Sequence, residues 1–282
     1  MQEDKLIIRS ACYQDSEFGL NLAKSQGWNP GLYDGEIIAM ADPWGCFAAI
    51  IDGQTVGFIS ALRFNDDYGF AGGLIVDPAF QGRGIAEALG AACNEHLTCR
   101  TIGCDSIIPL IDAYAKRGYV AAYRNRRYMI TAQDFGAPAT EVVELQTSPL
   151  TDIFIYDRSH FPAPREHFLL RWCFQPDAIS LAYVENRQLK GYGVLRKSLQ
   201  GRKIGPLFAD TPAIAEELFR ALVSRTVGEA VFLDIPAVNS AAVAMTERYG
   251  MTPVFETCRM YMGDTPDLPL EHIFSITSNE IG

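Results

Sequence analysis

The chain is 282 residues long and has no long apolar run, no close pair of cysteines and no basic region. Its apolar runs all stay far below the roughly 18 residues that cross a bilayer, so no membrane partner is expected. It has seven cysteines, an odd number, and none are in C-x-x-C spacing. That excludes a disulfide framework and a zinc site, and points to a reducing cytosol. Four histidines show no ligand spacing, so no metal is expected. The formal net charge is -10. Residues 1–130 carry 11 Lys+Arg against 15 Asp+Glu, and the remainder 13 against 19, so neither half suits nucleic acid. An acidic surface is compatible with a cationic small substrate. The start, Met1-Gln2-Glu3-Asp4, is acidic, unlike a secretory leader, and a cytoplasmic protein is expected.

What is there is enough apolar material for two cores, and a length that suggests two domains. Residues 5–10 read as a strand, and helical patterns over 14–40 break at Trp28-Asn29-Pro30-Gly31. CFAAIID (46–52) and TVGFISALRF (55–64) read as strands joined by Asp52-Gly53, with FAGGLIV (70–76) as their neighbour. A helix over 84–97, a strand over 101–105, a helix over 110–117 ended by Gly118, and a closing strand over 123–130 follow. QDFGAPAT (133–140) reads as a linker. The same order then recurs: a strand at 141–146, helices around Pro162 and Pro164, a hairpin through Asn186-Arg187-Gln188, a strand at 203–209, a helix from Pro212, a strand, a helix over 239–249 and a last strand over 254–262. The expectation is an α+β protein of two domains, residues 1–132 and 141–282, each a mixed, mostly antiparallel sheet flanked by helices.

One loop carries the chemistry. Leu74-Ile75-Val76 stops at Asp77-Pro78, and Gln81-Gly82-Arg83-Gly84-Ile85-Ala86 leads straight into a helix. A helix start leaves amide N–H groups unpaired and carries partial positive charge, so it suits phosphate. Gly82 and Gly84 let the backbone approach an anion, and Arg83 adds a cation. The dinucleotide G-x-G-x-x-G is absent, because position 87 is Glu, and so is the Walker pattern.

Leu74 to Ala86 resembles motif A of the GNAT superfamily of acyl-CoA-dependent N-acetyltransferases, matching at Val76, Pro78, Gln81, Gly84 and Ala86. The resemblance implies acetyl-CoA as co-substrate, its pyrophosphate on residues 81–86 and its pantetheine arm along Leu74, Ile75 and Val76. Gly72-Gly73 would suit a bulge that splays this strand from its neighbour. Tyr114-Ala115-Lys116-Arg117-Gly118-Tyr119 resembles the family's Tyr-x-x-x-Gly-Phe, which implies that Tyr114 protonates the leaving thiolate. The Asn that family members often carry seven residues earlier is Ile107 here. No general base is evident; Asp34, Asp66 and Asp67 are the nearby acids, and a water relay ending at backbone carbonyls is the equal alternative.

The second half lacks the loop glycines, has Pro212 where an N–H would be needed, and has Thr246 where the first half has Tyr114. The pairing resembles tandem acetyltransferases of the YitH-like type, with a degenerate second GNAT domain. That implies one coenzyme A per chain and an acceptor pocket shaped by the second half, with Trp28, Asn29, Asp157, His160 and Arg165 as candidate contacts. The expected activity is acetylation of a small-molecule primary amine by a monomer or homodimer. A coenzyme A-sensing module without turnover, and an acetyltransferase acting on protein N-termini or lysines, are the alternatives.

Overall fold

Two tight turns show how local sequence sets strand pairing. Asp52-Gly53 and Asn186-Arg187 all take positive φ, the conformation that joins antiparallel strands in a two-residue hairpin. In the computed structural model, residues 5–282 are described; the reading of Met1 to Asp4 lies outside them. The first half runs β1 (Ile7–Ser10), α1 (Tyr13–Ser25), α2 (Asp34–Ala41), β2 (Cys46–Ile51), β3 (Gln54–Arg63), β4 (Tyr68–Val76), α3 (Ile85–His96), β5 (Thr101–Ile107), α4 (Ile111–Ala115) and β6 (Val120–Thr131). The second runs β7 (Val142–Glu144), α5 (Leu150–Arg158), α6 (Glu166–Cys173), β8 (Ile179–Glu185), β9 (Gln188–Lys197), β10 (Arg202–Ala209), α7 (Pro212–Val223), β11 (Ala230–Pro236), α8 (Ser240–Arg248), β12 (Thr252–Met262) and β13 (Ile273–Ser275). The class is α+β and the plan is repeated, as the sequence suggests.

The closure differs from the expectation. All strands join one sheet in the order β1-β2-β3-β4-β5-β12-β6-β11-β10-β9-β8-β7, with β13 on β10. Each half therefore gives its last long strand to the other: β12 pairs with β5, and β6 pairs with β11. β12 and β6 also pair with each other at the centre. The boundaries at 132 and 141 divide the chain but not the sheet.

Charge fixes this exchange. Arg259 on β12 donates to both carboxylate oxygens of Asp105 on β5, at 2.9 and 2.8 Å. Arg127 on β6 does the same to Asp234 on β11, at 2.7 and 2.9 Å. All four side chains are buried. A third buried pair, Arg196 on β9 with Asp34 on α2, joins the halves at their helices. Bidentate geometry offsets much of the desolvation each charge suffers. Burial would raise the Asp234 carboxyl, but Arg127 and Lys203 beside it hold it below the usual carboxylate range.

The cores follow the exchange. Cys258 and Met260 of β12 pack under α3 with Ile59, Leu89 and Ile102. Tyr128 and Ile130 of β6 pack under α7 with Leu218, Leu222 and Leu233. Ile37 and Ile38 of α2 meet Phe168, Leu169 and Trp172 of α6 in a shared cluster. Each fully buried side chain of this kind contributes roughly 1.5–3 kcal/mol. No described helix is long and apolar enough to cross a membrane.

Replacing Arg259 with Leu strands the buried Asp105 carboxylate. The expected loss is about 3–5 kcal/mol in urea unfolding. The double replacement Asp105→Leu/Arg259→Leu should recover part of it; a single variant as stable as the parent would show that the pair does not hold the exchange.

Candidate active site

β4 is bent where its glycines fall. Phe58 pairs with Ile75 but Ser60 pairs with Gly72, so β4 holds one residue more than β3 between those points. Gly73, at φ 61°, supplies the left-handed turn of that bulge. Pairing of β4 with β5 stops at Ala71 and Cys104, although both strands continue. The backbone of Leu74 to Val76 therefore faces β5 across an opening with no strand partner on that side.

That opening is a cleft of ≈ 550 Å³ lined by Gly72, Leu74, Ser106 and Tyr114 from the first half and by Thr257 and Glu280 from the second. Leu74 and Tyr114 also line a trough of ≈ 1060 Å³ over α3, with Ala86, Gly90 and Asn94. Ala86 and Glu87 carry the trough on to the hollow formed by Val76, Gln81, Gly82, Gly84 and Ile85. On the opposite face of β4, a chamber of ≈ 510 Å³ lies between α1, α2 and Ile75, lined by Gly19, Leu20, Ile38 and Phe58. Trp28, Gly73 and Glu280 line both the chamber and the first cleft. The four spaces adjoin one another through shared lining residues along a path from loop to Tyr114 to chamber.

The loop end of the path is built for an anion. Asp77 accepts from Ala79 N, and Gln81 Nε2 donates back to the Val76 carbonyl, which fixes the turn. Gly82 and Gly84 sit at φ 75° and 76°, where a side chain would be strained. Gly84 is the N-cap of α3 and offers no side chain, so the first amides of the helix stay uncapped. Arg83 lies 5.3 Å over the Phe80 ring.

The other end suits proton chemistry. Tyr114 is half-buried and meets Tyr119 edge to face, with ring centroids 5.5 Å apart. Burial, with the Cys104 and Cys93 thiols nearby, pushes its hydroxyl above the ordinary tyrosine value. It thus keeps its proton at neutral pH. Cys93 also lines the trough, and burial pushes its thiol up to about 12. A protonated thiol is a poor nucleophile.

The candidate contacts divide. Trp28 lines the cleft and the chamber. Asn29 instead docks the halves: its side chain donates to Ser198 and Gln200 and accepts from Gln200 N. Asp157 and Arg165 form a buried bidentate pair, with Tyr192 and Thr277 as further partners. His160 stacks on Phe208, with ring centroids 4.9 Å apart. These three hold α5 and α6 to the second half of the sheet and line none of the spaces around Tyr114. Of the acids near the first site, Asp34 is paired with Arg196, while Asp66 and Asp67 are exposed. Sequence reading missed Glu280 altogether. The tail beyond residue 262 carries no periodic signal, and only its packing beside Gly72 brings it to the cleft.

The second half shows what closing such a site looks like. Pairing of β10 with β11 stops at Ile204 and Leu233, as that of β4 with β5 does. Here β13 enters the gap, with Leu207 opposite Ser275 and Phe208 opposite Ile273. Ser275 Oγ and Ile276 N bond to Asp234 O on the far side. The helix that follows is capped, since Thr211 accepts from Ile214 N, and Pro212 takes its first position. Glycines 205 and 72 occupy the same place in the two splays, so the loop counterpart is Asp210-Thr211 alone.

Two matches to known families agree with this geometry. Residues 153–275 match one family described as Acetyltransferase (GNAT) domain, and residues 42–121 match another of the same description. The chain belongs to the GNAT acetyltransferases and carries their domain in tandem; it is an acyltransferase. It is 26% identical over 262 residues to the holothin acyltransferase of Pseudoalteromonas sp. (strain SANK 73390), covering 92% of this chain and 89% of that one. Among solved structures, a protein of Pyrococcus horikoshii whose assignment as an acetyltransferase is provisional superposes with a TM-score of 0.84 at 24% identity, over 100% and 99% of the two chains. A tandem GNAT protein from the clavulanic acid biosynthesis pathway superposes with a TM-score of 0.64 at 14% identity, over 94% and 100%.

Two glycines test the packing. A Cβ on Gly72 would collide with the Glu280 carbonyl, whereas one on Gly90 in α3 would meet nothing within 4 Å. Gly72→Ala should cost about 1–3 kcal/mol and Gly90→Ala should stabilise by about 0.5–1 kcal/mol in thermal or urea unfolding. Equal effects would argue against the tail's placement.

Proposed function

We propose that the chain transfers an acetyl group from acetyl-CoA to the primary amine of a small molecule, by direct attack in a ternary complex, at a single coenzyme A site in the first half. The observation that carries this reading is the row of adjoining spaces from the uncapped α3 loop, past Tyr114, to the chamber beside Trp28. The pyrophosphate would meet the amides of residues 81–86, and the pantetheine arm would run along the unpaired backbone of Leu74 to Val76 as an added strand. The thioester would then lie in the cleft shared with Tyr114.

In this reading the amine nitrogen attacks the thioester carbon, a C–N bond forms, and the C–S bond breaks. The electron pair leaves with sulfur, and Tyr114 donates its O–H proton to that thiolate. The chamber is walled by α1, α2 and β4 with mostly apolar side chains, which supports a small-molecule acceptor. The likeness to an acyltransferase named for holothin supports a small acceptor. The second half has its splay filled by β13 and its helix capped, which supports one coenzyme A per chain.

Titration calorimetry with acetyl-CoA should give one site per chain, weakened by Gly84→Val and unaffected by Thr211→Gly. Two sites would sink the single-loading reading. Coenzyme A release with a panel of amines should show Tyr114→Phe lowering kcat roughly 100-fold with the acetyl-CoA Kd unchanged. An unchanged kcat between pH 6 and 9 would remove Tyr114 from the chemistry.

A further inference from the structure

The proposed reaction leaves one proton unassigned, the one the attacking nitrogen must lose. Four carboxylate residues line the cleft or the chamber or stand at the trough: Asp34, Asp105, Glu87 and Glu280. Asp34 and Asp105 are buried and locked in bidentate pairs with Arg196 and Arg259. Glu87 lies on the loop side of Tyr114, beside Arg117 at 3.2 Å. Glu280 differs from all three. It is half-buried, and its carboxylate accepts from Ser278 Oγ with no cation paired to it among the described residues. It also lines both the cleft that contains Tyr114 and the chamber across β4.

The segment that carries it is held firmly. Thr277 Oγ1 accepts from Arg165, Thr257 Oγ1 donates to Asn279 Oδ1, and the amides of Ile281 and Gly282 turn back to the Ser278 carbonyl. The Glu280 carbonyl packs against Gly72, at the bulge that opens the cleft. Arg127 on β6 and Lys203 on β10 feel its charge from below, and both already face Asp234 on β11. The chamber walls around it are mostly apolar: Leu20, Ala23, Pro30, Ile38, Phe58 and Ile75.

We infer that Glu280, supplied by the second half to the site of the first, holds the acceptor's ammonium group and takes its proton, and that the acceptor is an amine with a compact apolar body seated in the chamber. This rests on the acetyltransferase reading above. The ammonium first gives a proton to the Glu280 carboxylate, which releases it to solvent and so frees the nitrogen's lone pair; the neutral nitrogen then attacks and gives a second proton to the same carboxylate as the amide bond forms. Tyr114 gives one to sulfur, so the two residues end one proton apart and solvent restores both. A carboxylate at the mouth of an apolar chamber selects a cation with an apolar body, because a polar body would lose its hydration without replacement partners.

The test uses the full chain with saturating acetyl-CoA and two probes, phenethylamine and glucosamine, from pH 6 to 9.5, with acetyl-CoA Kd measured in parallel. Glu280→Gln should keep that Kd within about twofold and lower kcat/KM for phenethylamine about 100-fold at pH 7. Its kcat/KM should climb with unit slope to the amine's own pKa, whereas the wild type levels off earlier. The wild type should favour phenethylamine at least tenfold. A Gln variant with wild-type kcat/KM and profile, or a preference for glucosamine, overturns the assignment. If the Gln variant fails to bind acetyl-CoA, the wild-type profile decides: a climb all the way to the amine's pKa overturns it, and an earlier plateau supports it. A wild type silent with every amine overturns the acetyltransferase reading itself, and this inference with it.

Discussion

The exchange of β6 and β12 is the constraint on which the rest depends. Two bidentate pairs, Arg259 with Asp105 and Arg127 with Asp234, cross between the halves in the middle of one sheet. A buried charge without its partner is costly, so each arginine can lie only where the other half's aspartate waits. Electrostatics thereby select one strand order among several that hydrogen bonding alone would permit. Because β12 lies beside β5, the residues that follow it emerge next to the first half's cleft.

The same splay then meets two fates. In the first half it stays open, with Leu74 to Val76 unpaired towards β5 and α3 uncapped. In the second it is filled by β13, and α7 is capped by Thr211. Backbone amides in a protein must find partners, and a gap between strands offers a whole row of them. One gap is satisfied by the chain itself, and the other is left for an extended ligand. The tail that fills the second runs on to Glu280 at the first, so a single ten-residue segment closes one site and furnishes the other.

Much of this is legible in the sequence. The Gly82-Arg83-Gly84 loop announces a helix start with free amides because glycine has no side chain to bond them and tolerates positive φ. Gly72-Gly73 announces a bulge, Asp52-Gly53 a tight hairpin, and Pro212 with Thr211 a capped helix, each for reasons contained within a few residues. Tyr114 stands four residues before Gly118, whose φ of 93° ends the helix as expected. The acceptor side was harder to read. Asp157 and Arg165 look like ligand-binding charges in sequence, but eight residues of helix and turn bring them onto each other. Asn29 looks available until the 198–200 turn is placed against it.

The chain's local patterns determined its class, its repeated plan and its anion loop, because turns, caps and periodicity act over a few residues. They could not determine which strand each half keeps. β6 and β12 have similar lengths and similar patterns, and either half's strand would satisfy either edge. Only tertiary structure decides that, through charges more than a hundred residues apart that are tolerable in the interior solely as pairs. The same long-range packing, and nothing in residues 263–282 alone, carries Glu280 to the cleft.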